Sequence, residues 1–259
     1  MSSDSKIKTF TEERFWELDF IRGVAIFCMM LFHCIYQWYF VFNIIDVNVD
    51  FFYYFPKLAA VFFILLGISL YIGVERKFYK NFKDILKRSL LIFSCGMLIT
   101  GATLLAKTGF YIYFGVLHCH GLSTLLSYFF SKCNKWVVLL TAITFITLDY
   151  FLPTGHSPWT YCLFSSRLPA GFGSTFDYFP LIPNLGYALL GLFLGKQFYT
   201  NGNRQFNIFN AGVFANFFAY LGKRTLWIYL IHVPILFILN DLIVFFLKPE
   251  CYINIFKFF

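Results

Sequence analysis

The chain has 259 residues, 59% of them hydrophobic and 23% aromatic, with 38 Phe and a net charge of +8. So apolar a composition excludes an ordinary water-soluble domain, because a helix needs only about 20 apolar residues to cross a bilayer and the chain supplies such stretches repeatedly. Its positive charge is concentrated in short loops between those stretches, which points to membrane orientation and not to nucleic-acid binding.

The opening residues, MSSDSKIKTFTEERFWELDF, are too polar up to Glu17 for a signal peptide. The apolar run that follows is a full span without a small-residue cleavage site, so it is expected to be retained. Seven spans are predicted in order: Leu18–Tyr39, Phe51–Gly73, Ser89–Ala106, Phe110–Phe130, Trp136–Phe151, Phe179–Phe198 and Thr225–Leu247. Together, residues 18–247 form one all-α integral membrane domain. A longer loop, 152–176, precedes the sixth span. The segment 207–220 is apolar but broken by Asn207, Asn210, Gly212 and Asn216, and is expected to be a short interfacial helix.

Charge sets the predicted direction. Arg76, Lys77, Lys80, Lys83, Lys87 and Arg88 fall in one loop; Lys132 and Lys135 fall in the next loop on that side, and Lys196, Arg204, Lys223 and Arg224 in the third. The alternate loops carry only Lys107 and Arg167. Positive loops stay inside, which makes residues 1–17 cytoplasmic and residues 152–176 and 248–259 external, in a chain expected in the plasma membrane. A basic loop of this kind also attracts anionic lipid.

Ionisable groups within spans are costly and mark candidate functional sites. Arg22 and His33 are eleven residues apart, close to three helical turns, and so project from one face. Asp19 precedes Arg22 by three positions and is spaced to pair with it. At about 1.5 Å per residue, His33 lies about 22 Å into a hydrocarbon core about 30 Å thick. Lys57 and His118 enter from the opposite boundary, six residues past Phe51 and eight past Phe110, and reach similar levels. His232 precedes Pro234, where a kink is an alternative reason for a buried imidazole. Packing, capping and snorkelling are the structural alternatives for every one of these groups.

His118 and His120 point in nearly opposite directions on a helix, so His118-Cys119-His120 does not make a metal site, and no metal is expected. The chain has 7 Cys and no Cys-x-x-Cys. Cys28, Cys34 and Cys95 are small apolar filler in spans. Cys162 and Cys251 are both expected outside, either bridged or free. GxGxxG, GxxxxGK[ST] and GxSxG are absent, which argues against the common nucleotide-binding and hydrolase folds.

Several ordered blocks resemble the heparan-alpha-glucosaminide N-acetyltransferase-like family of multispan membrane acyltransferases, and in particular its small prokaryotic-type branch. They are RFWELDFIRGVAIFCMMLFH (14–33), FFILLGISLYI (62–72), FGVLHCHGLSTLLSY (114–128), DYFPLIPNLGYALLGLFLGK (177–196) and LGKRTLWIYLIHVP (221–234). The resemblance implies transfer of an acyl group from cytoplasmic acetyl-CoA to the amine or hydroxyl of an external sugar or glycan component. It aligns Asp19, Arg22 and Gly23 with the family's Asp-x-x-Arg-Gly start and His33 with the small-branch histidine. His118 falls in the Gly-x-Leu-His segment, Asp177 and Tyr178 in the external Asp-Tyr-Phe-Pro segment, and Arg224 and His232 in the final block.

On that basis His33 is the expected base, His118 a supporting or alternate base, and Lys57 an electrostatic aid to the oxyanion. Arg22, Arg88 and Arg224 are expected to hold CoA phosphates through guanidinium forks, with His232 on the donor side. Asp177 and Tyr178 are expected on the acceptor side. His120 has no expected role. Expected partners are membrane lipid, acyl-CoA and a sugar acceptor, and small-residue surfaces at Gly67, Gly96, Gly101, Gly191 and Gly195 suit helix packing, including a homo-oligomer. A proton-coupled or small-solute transporter and a non-enzymatic scaffold are the competing classes.

Overall fold

A computed structural model describes residues 14–54, 58–106, 111–149, 151, 177–208 and 212–247. Lys57, Cys162, Cys251, the whole of the predicted external loop 152–176 and the tail after residue 247 lie outside the described residues.

Among the described residues the fold is all-α, without strands. Helix α1 is Trp16–Tyr36 and continues as a π-helical turn, Gln37–Val41. It is followed by α2 (Val49–Tyr54), α3 (Ala60–Glu75), α4 (Phe82–Ala106), α5 (Val116–Phe130), α6 (Lys135–Leu148), α7 (Leu181–Phe198), α8 (Val213–Lys223) and α9 (Thr225–Leu247).

Among the described residues, three stretches are long and apolar enough by themselves to cross a membrane, Trp16–Val41, Phe82–Leu105 and Thr225–Phe246, so the seven expected spans are not each visible as a full-length helix. Ala60–Glu75 and Lys135–Leu148 are shorter apolar helices. The differences have local causes. Where the second span is expected, the described residues give the six-residue α2 and the 16-residue α3. Within the expected fourth span, α5 begins only at Val116, because Gly115 at its N-cap is extended. The remaining 15 residues of α5 rise only about 22 Å. In α7, Pro183, Asn184, Lys196 and Gln197 dilute the hydropathy of an 18-residue helix.

The core is formed where α3, α5 and α7 meet, with Phe63, Leu66, Leu117, Cys119, Leu185, Leu189 and Leu192 buried together. α4 packs on α5, and α6 on α7. The outward faces remain strongly apolar: Leu98 is 70% exposed, Leu105 84% and Trp227 70%. This inversion, with large hydrophobic side chains on the outside, is what lipid as a solvent permits.

Two crossings are close because glycine allows backbone to meet backbone. A β-carbon at Gly67 or Gly191 would overlap the carbonyls of Ala188 and Ile64, respectively, which locks α3 to α7. One at Gly23 or Gly222 would overlap the carbonyls of Phe218 and Asp19, which locks α1 to an antiparallel α8. The segment expected to hold a short interfacial helix thus contains α8, packed along the first half of α1. α9 then turns back and runs parallel to α1.

One end of the bundle is basic and tied by polar contacts. Arg76 Nε donates to the Gly202 carbonyl at 2.8 Å and its guanidinium lies 4.4 Å over the Phe15 ring. Arg204 donates to Glu17 at 3.1 Å, and Tyr199 Oη donates to the same carboxylate at 3.3 Å. Burial and the Glu17 carboxylate push the Tyr199 phenol up, so it stays a neutral donor. Lys196 Nζ donates to the Ser131 carbonyl at 2.6 Å. At the other end, Asn240 of α9 is clasped to α1, donating to Gln37 at 2.7 Å and accepting from the Trp38 indole at 3.0 Å.

Candidate functional site

The site is built along one face of α1. Near the basic end, Asp19 is fully buried and accepts from Arg22 Nη1 at 2.6 Å. Arg22 Nη2 donates to Ser69 of α3, a partner that no sequence pattern announces. Arg14 closes on the other Asp19 oxygen at 3.2 Å. The guanidinium is thus held in place yet remains about one-fifth exposed. Arg88 is exposed on the first turns of α4, 6.0 Å from the Tyr79 ring centroid. Arg224 caps the C-terminus of α8 and lies 3.9 Å over the Tyr220 ring. All three arginines fall toward the basic end, and Arg88 and Arg224 form no ion pair among the described residues.

Three turns further along α1, His33 is half-buried, and its ring centroid is 5.0 Å from that of His232 on α9. His33 has no hydrogen-bond partner among the described residues. His232 is buried, with Nδ1 2.6 Å from the Tyr229 carbonyl. A carbonyl only accepts, so the neutral ring carries its proton on Nδ1 and leaves a lone pair on Nε2. That Nε2 is buried and unpartnered. His232 therefore stands beside the expected base, three turns of α1 away from the level of Arg22. The phase argument selected the His33 face of α1, but it carried no information about which helix would cover that face.

Tyr229, one turn before His232, donates to Asp177 Oδ2 at 2.7 Å. The same carboxylate oxygen accepts the Val116 N–H at the start of α5, at 3.2 Å. Asp177 thereby joins α9 to a helix N-terminus that would otherwise hold unsatisfied N–H groups. His118 serves the same terminus. Its Nδ1 accepts the Gly115 N–H at 3.1 Å, and its Nε2 lies 3.4 Å from Thr100 Oγ1, which itself donates to Ile112 at 2.6 Å. Both His118 nitrogens are engaged, and the ring packs between Phe93 and Phe114 against Gly96. Tyr178 lies beside Asp177 and is half-buried.

The structure thus brings His33, His232, Tyr229 and Asp177 into one connected neighbourhood, with Arg22 farther down the same α1 face. His118 reaches that neighbourhood through the α5 N-terminus and turns its ring toward α4. Tyr229 and Ser69 were not foreseen; each acts through a partner distant in sequence. Among the described residues, no group of three His, Cys, Asp or Glu side chains is placed to share a metal ion.

Residues 14–234 match the family model described as "Heparan-alpha-glucosaminide N-acetyltransferase, catalytic". Neither a curated protein nor a solved structure matches the chain.

Proposed function

Because the chain belongs to the heparan-alpha-glucosaminide N-acetyltransferase catalytic family, and so to the acyl-CoA-dependent membrane acyltransferases, we propose that it transfers an acetyl group from cytoplasmic acetyl-CoA to an external sugar amine or hydroxyl. The observation that carries this reading is the spacing on α1. Arg22 and His33 share a face and are separated by about 16 Å along the helix. Three single bonds of an extended chain advance about 3.6 Å, so the roughly twelve bonds from the CoA pyrophosphate to its sulfur reach about 14 Å. Phosphates at the basic end would therefore deliver the thioester to the level of His33.

In this reading the helices form a seven-span bundle in the plasma membrane, with residues 1–17 inside. Arg22, Arg88 and Arg224 take the phosphates, where fork geometry favours guanidinium over ammonium. His33 accepts the proton as the acceptor nitrogen or oxygen attacks the thioester carbonyl. The new C–N or C–O bond forms, the C–S bond breaks, and the CoA sulfur leaves to be protonated. His232 supports His33 with a fixed tautomer, and Lys57 steadies the oxyanion. His118 and Asp177 hold the α5 terminus that borders the centre, and Tyr178 adjoins the acceptor path.

The test is turnover of labelled acetyl-CoA by purified, lipid-reconstituted protein against a panel of sugar acceptors. His33→Ala is expected to bind CoA normally and to lose about 10²–10⁴ in transfer rate. Full turnover by folded His33→Ala would reject His33 as the base, and solute movement without turnover would favour a transporter.

A further inference from the structure

His118 and His120 are two positions apart on α5 and are used differently. Both nitrogens of His118 are engaged at the α5 terminus and at Thr100. The His120 ring has no hydrogen-bond partner among the described residues; it meets Phe63 of α3 at 5.5 Å. Its neighbours Leu117, Cys119 and Gly121 are buried, but His120 keeps accessible surface. In a helix walled by α3, α4 and α7, that surface belongs to an internal cleft. Ser89, the residue after Arg88, donates to the Gly121 carbonyl at 2.7 Å, and Arg22 is tied to α3 at Ser69, so the two helices that flank His120 also carry or hold these arginines.

The level of His120 can be read from α3. Arg22 is anchored at Ser69 and His120 faces Phe63, so the imidazole lies about 9 Å farther from the basic end than the guanidinium. His33 is about 16 Å farther. At the same advance per bond, an extended phosphopantetheine arm places its two amides about 7 and 11 Å from the phosphate, so the stretch that joins them arrives at His120. An amide entering the apolar interior of the bundle needs a partner, since burying it unpaired is unfavourable. Neutral imidazole offers one donor and one acceptor, the pair that an amide matches.

We propose that His120 recognises the acyl donor by hydrogen-bonding the amide region of its phosphopantetheine arm. This inference rests on the acyl-CoA reading above and adds to it a contact that discriminates the arm from the nucleotide. The probes are CoA and adenosine 3′,5′-bisphosphate, which lacks the arm. Calorimetry on the full chain in lipid nanodiscs compares wild type, His120→Leu and His120→Gln. His120→Leu is expected to weaken CoA binding about tenfold and to leave the bisphosphate unchanged. His120→Gln, which retains a donor and an acceptor, restores most of the CoA affinity.

Unchanged CoA affinity in His120→Leu overturns the proposal, as does an equal loss for both probes or a failure of Gln to restore binding. Wild-type protein that binds neither probe overturns the acyl-CoA reading and this contact with it. Wild-type protein that binds both, with CoA affinity indifferent to residue 120, overturns the contact alone.

Discussion

Asn240 offers a sharp test of how this bundle is held. It is 2% exposed, donates to Gln37 Oε1 at 2.7 Å, and accepts from Trp38 Nε1 at 3.0 Å and from Cys34 Sγ at 3.5 Å. The three α1 partners lie at i, i+3 and i+4, so they present one face to α9. Asn240→Leu keeps the volume similar and removes every polar contact. The Cys34 contact is long and its donor weak, so the loss is dominated by Gln37 and Trp38. Trp38 is half-buried and its indole finds interfacial water, whereas Gln37 is 4% exposed and is left without its donor. Interhelical hydrogen bonds in membranes average about 0.6 kcal/mol, and an orphaned buried acceptor costs about 1–3 kcal/mol. The expected loss is therefore about 1–2 kcal/mol.

Reversible unfolding of purified protein in mixed detergent micelles measures it. The double variant Asn240→Leu with Gln37→Leu should be more stable than the two single losses predict, because it leaves no orphan. A loss below about 0.3 kcal/mol in Asn240→Leu, far under the average membrane hydrogen bond, together with an additive cycle, would refute the reasoning.

Two further outcomes are expected. Gly191→Ala forces a β-carbon onto the Ile64 carbonyl and should cost at least about 2 kcal/mol, while Gly101→Ala in α4, with nothing within 4 Å, should be neutral or slightly stabilising; the same unfolding assay compares them, and equal effects would refute the close crossing. In intact cells, an impermeant thiol reagent should label Asp46→Cys and spare Lys80→Cys in an otherwise Cys-free chain, and equal external labelling of both would refute the proposed orientation.

The long apolar helices were legible because their signal is local. Thr225–Leu247 is observed with the predicted bounds, and α1 differs by two residues at each end once its π-helical turn is counted. α4 begins at Phe82, seven residues before the predicted Ser89, since FKDILKR is helical but too polar for a hydropathy window. A short helix was expected within 207–220 and α8 is Val213–Lys223, but its fit against α1 through Gly222 and Phe218 depends on a partner distant in sequence. At the site, the 2.6 Å Asp19–Arg22 pair followed from i, i+3 spacing. The Arg22–Ser69 and Tyr229–Asp177 contacts depend on residues about 50 positions apart in sequence, and periodicity has no term for them. Opposite facing of His118 and His120 was readable from helix phase; which of the two would meet a cleft was decided by α3 and α4.

The glycine crossing between α1 and α8 also bears on synthesis. Gly23 is covered by Phe218 and the Asp19 carbonyl by Gly222, so each partner is made about 200 residues after the other. At translation rates of about 5–20 residues per second, the interval is about 10–40 s. Throughout it, the first helix carries the Asp19–Arg22 pair without the backbone that finally shields it. Pairing within one helical turn keeps this charge-bearing segment close to neutral until the α8–α9 hairpin is made.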